Sequence, residues 1–143
     1  MNTKQTKSII MVSACLLGIT CRYDGKTIQS LDCKQELDRL NVIWIPFCPE
    51  QLGGLPTPRP AANINEGNGE DVLTGKAKVL TKSGVDVTES FILGAEQVLA
   101  IAEKQLVTAI FLKARSPSCG VSQPSGVTAA LLARHGYKIY EFN

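Results

Sequence analysis

The stretch Ile9-Ile10-Met11-Val12-Ser13-Ala14-Cys15 decides the reading of the fold. It is a short, β-rich apolar run that stops in a loop, Leu16–Lys26, where Gly18 and Asp24-Gly25 mark turns. Working outward, the pattern repeats. Val42–Phe47 is a second buried strand that stops at Cys48-Pro49, and Thr108–Leu112 is a third, followed by Lys113-Ala114-Arg115. Tyr137–Phe142 reads as a final strand. Helices fall between them. Ser30 caps a helix through Leu40 with Leu31, Cys33, Leu37 and Leu40 as a partial stripe. Thr88 or Asp86 caps a second over Glu89–Lys104, where Phe91, Ala95, Val98, Leu99 and Ala102 share one face. Ser125 caps a last one through Arg134, ended by Gly136.

Strands alternating with helices through crossovers predict an α/β fold, a three-layer arrangement with a mainly parallel sheet covered on both faces. Val72–Leu80 and Val85–Thr88 flank Lys82-Ser83-Gly84 and predict a small β-hairpin insertion. The Pro- and Gly-rich stretch Glu50–Asp71 reads as a loop, and the polar residues 1–7 as a frayed start.

The length, 143 residues, argues for one domain spanning 1–143. With 44% hydrophobic residues and a net charge of +2, the chain is neither disordered nor a polybasic binder of nucleic acid or membrane. Lys4 and Lys7 before Ile9–Ala14, with Val12-Ser13-Ala14-Cys15 behind, imitate a lipoprotein signal. An export signal needs an apolar region of about seven to fifteen residues, longer than this one. Five cysteines, an odd number and sparse, do not make a secreted disulfide framework. The expected compartment is the cytoplasm, where thiols serve metals and reactive chemistry.

Cys15, Cys48 and Cys119 share one structural address, just past the C-terminal end of a predicted strand. In an open parallel sheet those ends lie along one edge, beside the crevice where ligands bind. Cys33 lies on the inward stripe of the first helix and reads as buried and inert. Cys21, six residues after Cys15 in a loop, fits either description. No Cys-x-x-Cys pair occurs, and the single histidine, His135, sits in the last turn of the final helix. Thiolates without imidazoles suit zinc or an iron–sulfur cluster. Arg22 and Arg59 lie in loops that flank the crevice, where either can bind a phosphate or carbonyl of a substrate or pair with a neighbouring acid. Tyr23 can stack on a pyrimidine ring or pack on the core. Gly53-Gly54 and Gly67-x-Gly69 form no nucleotide-binding fingerprint.

Three longer motifs carry a family resemblance. Val12-Ser13-Ala14-Cys15-Leu16-Leu17-Gly18 with Cys21-Arg22-Tyr23-Asp24-Gly25 resembles the opening of the family formerly called DUF523. Cys48-Pro49-Glu50 with Gly53-Gly54-Leu55-Pro56-Thr57-Pro58-Arg59-Pro60 resembles its second motif, and Lys113-Ala114-Arg115-Ser116-Pro117-Ser118-Cys119-Gly120 its third. Asp86-Val87-Thr88 and Gly94-Ala95 match as well. The pattern departs from the family at Ala61-Ala62-Asn63-Ile64, where a glutamate is usual, and in a shorter segment after Cys119-Gly120.

Characterised members of that family are thiouracil desulfurases. The resemblance therefore implies a [4Fe-4S] cluster on Cys15, Cys48 and Cys119, an acid/base carboxylate at Glu50, and a serine, Ser116 or Ser118. The implied reaction is non-redox desulfuration of a thiolated pyrimidine base, nucleoside or nucleotide, releasing hydrosulfide. The competing readings are a non-catalytic zinc or thiol module, and a nucleotide-binding accessory domain without the cluster.

Overall fold

In β1 (Ile9–Ser13), Ile10 and Val12 pack on one side of the sheet while Met11 packs on the other. All three are buried, which is why the strand reads as a continuous apolar run and not as an alternation. The computed structural model describes residues 7–122 and 124–143, so the expectation for residues 1–6 lies outside it. Around β1 the remaining parallel strands assemble in the order β2-β1-β5-β6, with β2 spanning Ile43–Phe47, β5 Ala109–Lys113 and β6 Ile139–Phe142. Helix α1 (Leu31–Leu40) connects β1 to β2, and its Cys33 and Leu37 cover one face of the sheet. The chain then crosses to the far side of β1. Helices α4 (Thr88–Gln105) and α5 (Val127–Arg134) cover the opposite face through Val98, Ala102, Ala129 and Leu132. The winding reverses between β1 and β5, and that reversal opens a crevice at their C-terminal ends. The α/β fold with its parallel sheet and added hairpin is as expected, and no helix among the described residues is long and apolar enough to cross a membrane.

Several local expectations are corrected. Strand β2 is an edge strand and not a buried one: Ile43 is 50% and Trp44 45% exposed. Pro46 has no N–H to contribute to a ladder, which an edge tolerates. The stretch Glu50–Asp71 is structured: it contains most of α2 (Pro49–Leu52), β3 (Ala62–Asn65) and the start of α3 (Gly69–Leu73). Pro49 suits the first turn of α2, where its missing N–H costs nothing. A capping box between Asn68 and Asp71 starts α3. The hairpin pairs β3 with β4 (Lys78–Thr81), whereas Val85–Thr88 makes only a single bridge, from Asp86 to Leu80. Asp86 instead accepts the Thr88 amide at 2.9 Å, and the Thr88 hydroxyl accepts the Val79 amide at 2.9 Å. Gly126, one residue after Ser125, is the N-cap of α5, and Val87, not Thr88 or Asp86, is the N-cap of α4, which begins at Thr88 itself. Ser30 caps α1 as expected, accepting the Cys33 amide at 3.2 Å.

Helix α2 is seated on α4 by two glycines. A Cβ on Gly94 would stand 2.0 Å from the Pro49 carbonyl, and one on Gly53 would stand 2.0 Å from the Ser90 carbonyl. Backbone meets backbone there, so neither neighbour can swing aside. Gly94→Ala is expected to destabilise the fold by roughly 2 kcal/mol or more through overpacking, read as a lower urea midpoint at unchanged slope.

Candidate active site

Each chemical group of the site is delivered by the end of a regular element. β1 stops at Ser13, and the 3-10 turn Ala14–Leu16 that follows carries Cys15. β2 stops at Phe47, and Cys48 is the N-cap residue of α2, with Glu50 in its first turn. After β5 the chain turns through Arg115, at a φ of 59°, into Ser116-Pro117-Ser118-Cys119. Cys15, Cys48 and Cys119 thus come together, with Cys21, around a cleft of about 450 Å³ at the C-terminal edge of the sheet. Glu50, Arg22, Tyr23, Arg59 and Ser116 line the same cleft. Ser118 is buried behind the wall.

The two serines, equivalent in the sequence, do different things. The Ser116 hydroxyl accepts the amides of Ser118 at 3.2 Å and Cys119 at 3.1 Å, which folds the loop back on itself. The Ser118 hydroxyl donates to Glu50 Oε2 at 3.1 Å. Arg59 Nε donates to the other oxygen, Oε1, at 3.0 Å. The Arg59 side chain is only 4% exposed, and its remaining nitrogens are also engaged. Nη1 donates to the Pro56 carbonyl and the Thr57 hydroxyl, each at 3.1 Å, and Nη2 to the Cys21 carbonyl at 2.9 Å. Arg22 pairs with both oxygens of Asp24 and lies over the Tyr23 ring at 5.6 Å.

The thiols differ sharply in acidity. A hydrogen bond from the Cys21 thiol, the Gln51 amide and the nearby charge of Arg59 bring Cys48 down to about 6, against burial and the charge of Glu50. Cys15 is lowered by its own hydrogen bond from Cys21 and by the charges of Lys113 and Arg22. Cys21 is pushed up by those same two bonds and keeps its proton. Burial pushes Cys119 up, offset in part by the Ser13 hydroxyl, which donates to its sulfur at 3.3 Å. Burial also holds Cys33 up at about 11, away from the cleft, as its place on the inward stripe predicts. Ser13 and Lys113 escaped the sequence reading, as did Lys82, although the first two lie inside the quoted motifs. Ser13 accepts the Lys113 amide at 3.1 Å, so its proton has one direction left, toward Cys119.

The donor set fits an iron–sulfur group. It consists of soft thiolates without imidazole, and a buried thiol such as Cys119 ionises readily only against a metal cation. Among the described residues, no three His, Cys, Asp or Glu side chains converge on a point where one ion would sit. Four cysteines along one cleft are donors that an iron–sulfur group can use.

A crevice at the sheet's switch point, lined by cysteines and a clamped carboxylate, is a site at which an α/β enzyme can hold a group on thiolates. That class narrows to one family. The chain belongs to the 2-thiouracil desulfurase family, whose model matches residues 10–142. YbbK of Bacillus subtilis (strain 168) is 44% identical over 147 residues, covering 94% of this chain and 96% of its own. The solved structure of the [4Fe-4S]-dependent thiouracil desulfidase TudS superposes with a TM-score of 0.77 at 39% identity, over 94% of this chain and 91% of that one.

In the metal-free protein, iodoacetamide should modify Cys48 with a rate that rises through pH of about 6, because the thiolate is the nucleophile and predominates above that pH. Cys119 should stay unmodified over the same range. Peptide mass spectrometry across a pH series reads both; a Cys48 rate rising only near the usual thiol range removes the Cys21, Gln51 and Arg59 contacts as its cause.

Proposed function

We propose that this chain is a [4Fe-4S]-dependent desulfurase that hydrolyses the carbon–sulfur bond of a thiolated pyrimidine base, nucleoside or nucleotide and releases hydrosulfide. One observation carries the assignment: cysteines from three separate strand ends line a single cleft together with Glu50. Cys15, Cys48 and Cys119 are the residues that would hold the cluster. When bound by three thiolates, such a group supplies a thiophilic Lewis acid at its remaining iron.

The rest of the chemistry falls to side chains. Glu50 is the general base. With Oε1 held by Arg59 and Oε2 by Ser118, its carboxylate is fixed in orientation, and Oε2 keeps a second lone pair for the proton of an attacking water. Ser118 orients that oxygen, while Ser116 shapes the loop that presents Cys119. Arg59 acts on Glu50 and not on the substrate, since Nε, Nη1 and Nη2 already have partners inside the protein. Tyr23, 43% exposed at the rim, and Arg22 beside it are left to meet the planar ring or an attached phosphate. Thiols kept reduced for this purpose suit the cytoplasm.

Anaerobic reconstitution with iron and sulfide should give a brown protein that converts a thiolated uracil to uracil and hydrosulfide in equal amounts. A loaded wild-type protein that releases no hydrosulfide from either 2- or 4-thiolated pyrimidines overturns the assignment, and a colourless protein with one zinc favours the non-catalytic module. Cys119→Ser should lose stable cluster binding while Cys33→Ser retains it, measured as iron per chain. Glu50→Gln should keep the cluster and lose roughly a hundredfold or more in turnover per bound cluster, the usual range for a general base. Unchanged turnover per cluster removes Glu50 from the chemistry.

A further inference from the structure

The cleft contains one thiol more than the proposed ligand set uses. Cys21 is 3% exposed and lines the cleft beside Cys15, Cys48 and Cys119. A four-iron cluster has four corners, and three thiolates leave one without a protein ligand. The main chain at Cys21 is anchored: its carbonyl accepts from Arg59 Nη2 at 2.9 Å and takes a weaker contact from the Cys48 sulfur at 3.7 Å. The base of its loop is closed by the bridge between Leu17 and Gln29 and by the Ser30 amide, 2.9 Å from the Leu16 carbonyl. Movement is therefore left to the side chain, about a backbone held at the edge of the cleft.

We propose that Cys21 is a displaceable fourth ligand, capping the iron that Cys15, Cys48 and Cys119 leave open until a substrate takes its place. This rests on the reading of the cleft as a cluster site. Substrate entry is then a ligand exchange. The bond between iron and the Cys21 sulfur breaks as the thiocarbonyl sulfur binds, the freed thiolate takes one proton from solvent, and no electron is transferred. After hydrosulfide leaves, the Cys21 thiol gives its proton back to solvent as the bond to iron re-forms. The cap would shield that iron between turnovers, and protonation of the freed thiol would favour its displacement.

The test uses the reconstituted wild-type protein beside Cys21→Ser and Cys21→Ala. After mild ferricyanide treatment the wild type should keep four irons per chain, whereas both variants should lose about one in four and develop the electron paramagnetic resonance signal of a three-iron cluster. A second measurement needs no variant: iodoacetamide should spare Cys21 in the loaded wild type and modify it once thiouracil is in excess. Three outcomes overturn the proposal. Either both variants retain iron like the wild type, or Ser matches the wild type and only Ala differs, which assigns Cys21 a hydrogen-bonding role toward Cys15 and Cys48. The third is a Cys21 modification rate indifferent to thiouracil. A wild-type protein that assembles no four-iron cluster at all takes the proposed function down as well, which separates that failure from these.

Discussion

The guanidinium of Arg59 is almost wholly out of water, and a buried charge of that kind is tolerable only where its donors find partners. Meeting that demand organises the site. The carbonyl of Pro56 and the hydroxyl of Thr57 curl the proline-rich segment around the charge, while the carbonyl of Cys21 draws the first loop toward it. Among the described residues its anionic partner is Glu50, so the charge that stabilises the segment also fixes the carboxylate that faces the cleft. A neutral residue at this position would release both loops together. Lysine, with a point charge instead of a planar fork, would satisfy one or two of these directions but not all of them.

How much of this the sequence could disclose depends on element length. β1, β5, α1 and α4 were legible because each runs long enough to show a period or an unbroken apolar stretch. Helices α2 and α3, with four and five residues, complete little more than one turn and leave no periodic trace among prolines and glycines. The hairpin is visible as a feature but its partner is not: β4 pairs with β3, a four-residue strand inside the proline- and glycine-rich stretch, while Asp86 makes one bridge to Leu80 and the Thr88 hydroxyl ties the start of α4 to the Val79 amide. The crevice itself was legible, since the position of a cysteine after a strand depends on chain order alone. What separates Ser116 from Ser118, or a substrate-facing arginine from a structural one, is the direction of a few hydrogen bonds. No spacing rule encodes that direction.

The thiols also show how one cleft grades a single functional group. Cys48 and Cys119 lie at the same edge of the same sheet, yet the first is an acid of about 6 and the second is held well above an ordinary thiol. Polar hydrogens and a cation reach Cys48, while Cys119 is enclosed, with the Ser13 hydroxyl as its hydrogen-bond donor. The resemblance that pointed to three equivalent ligands says nothing of this gradient, because it arises from neighbours and not from the cysteines.

The hairpin of β3 and β4 stands apart from the parallel sheet and is joined to the body through Val79, Phe91 and the Thr88 hydroxyl. It nevertheless reaches the cleft, to which it brings Ala62, Asn63 and, from the turn beyond β4, Lys82. None of the cysteines belongs to it. The pocket is therefore built from two separable pieces: a change in two short strands would reshape the opening offered to a molecule without touching the sulfur-bearing floor.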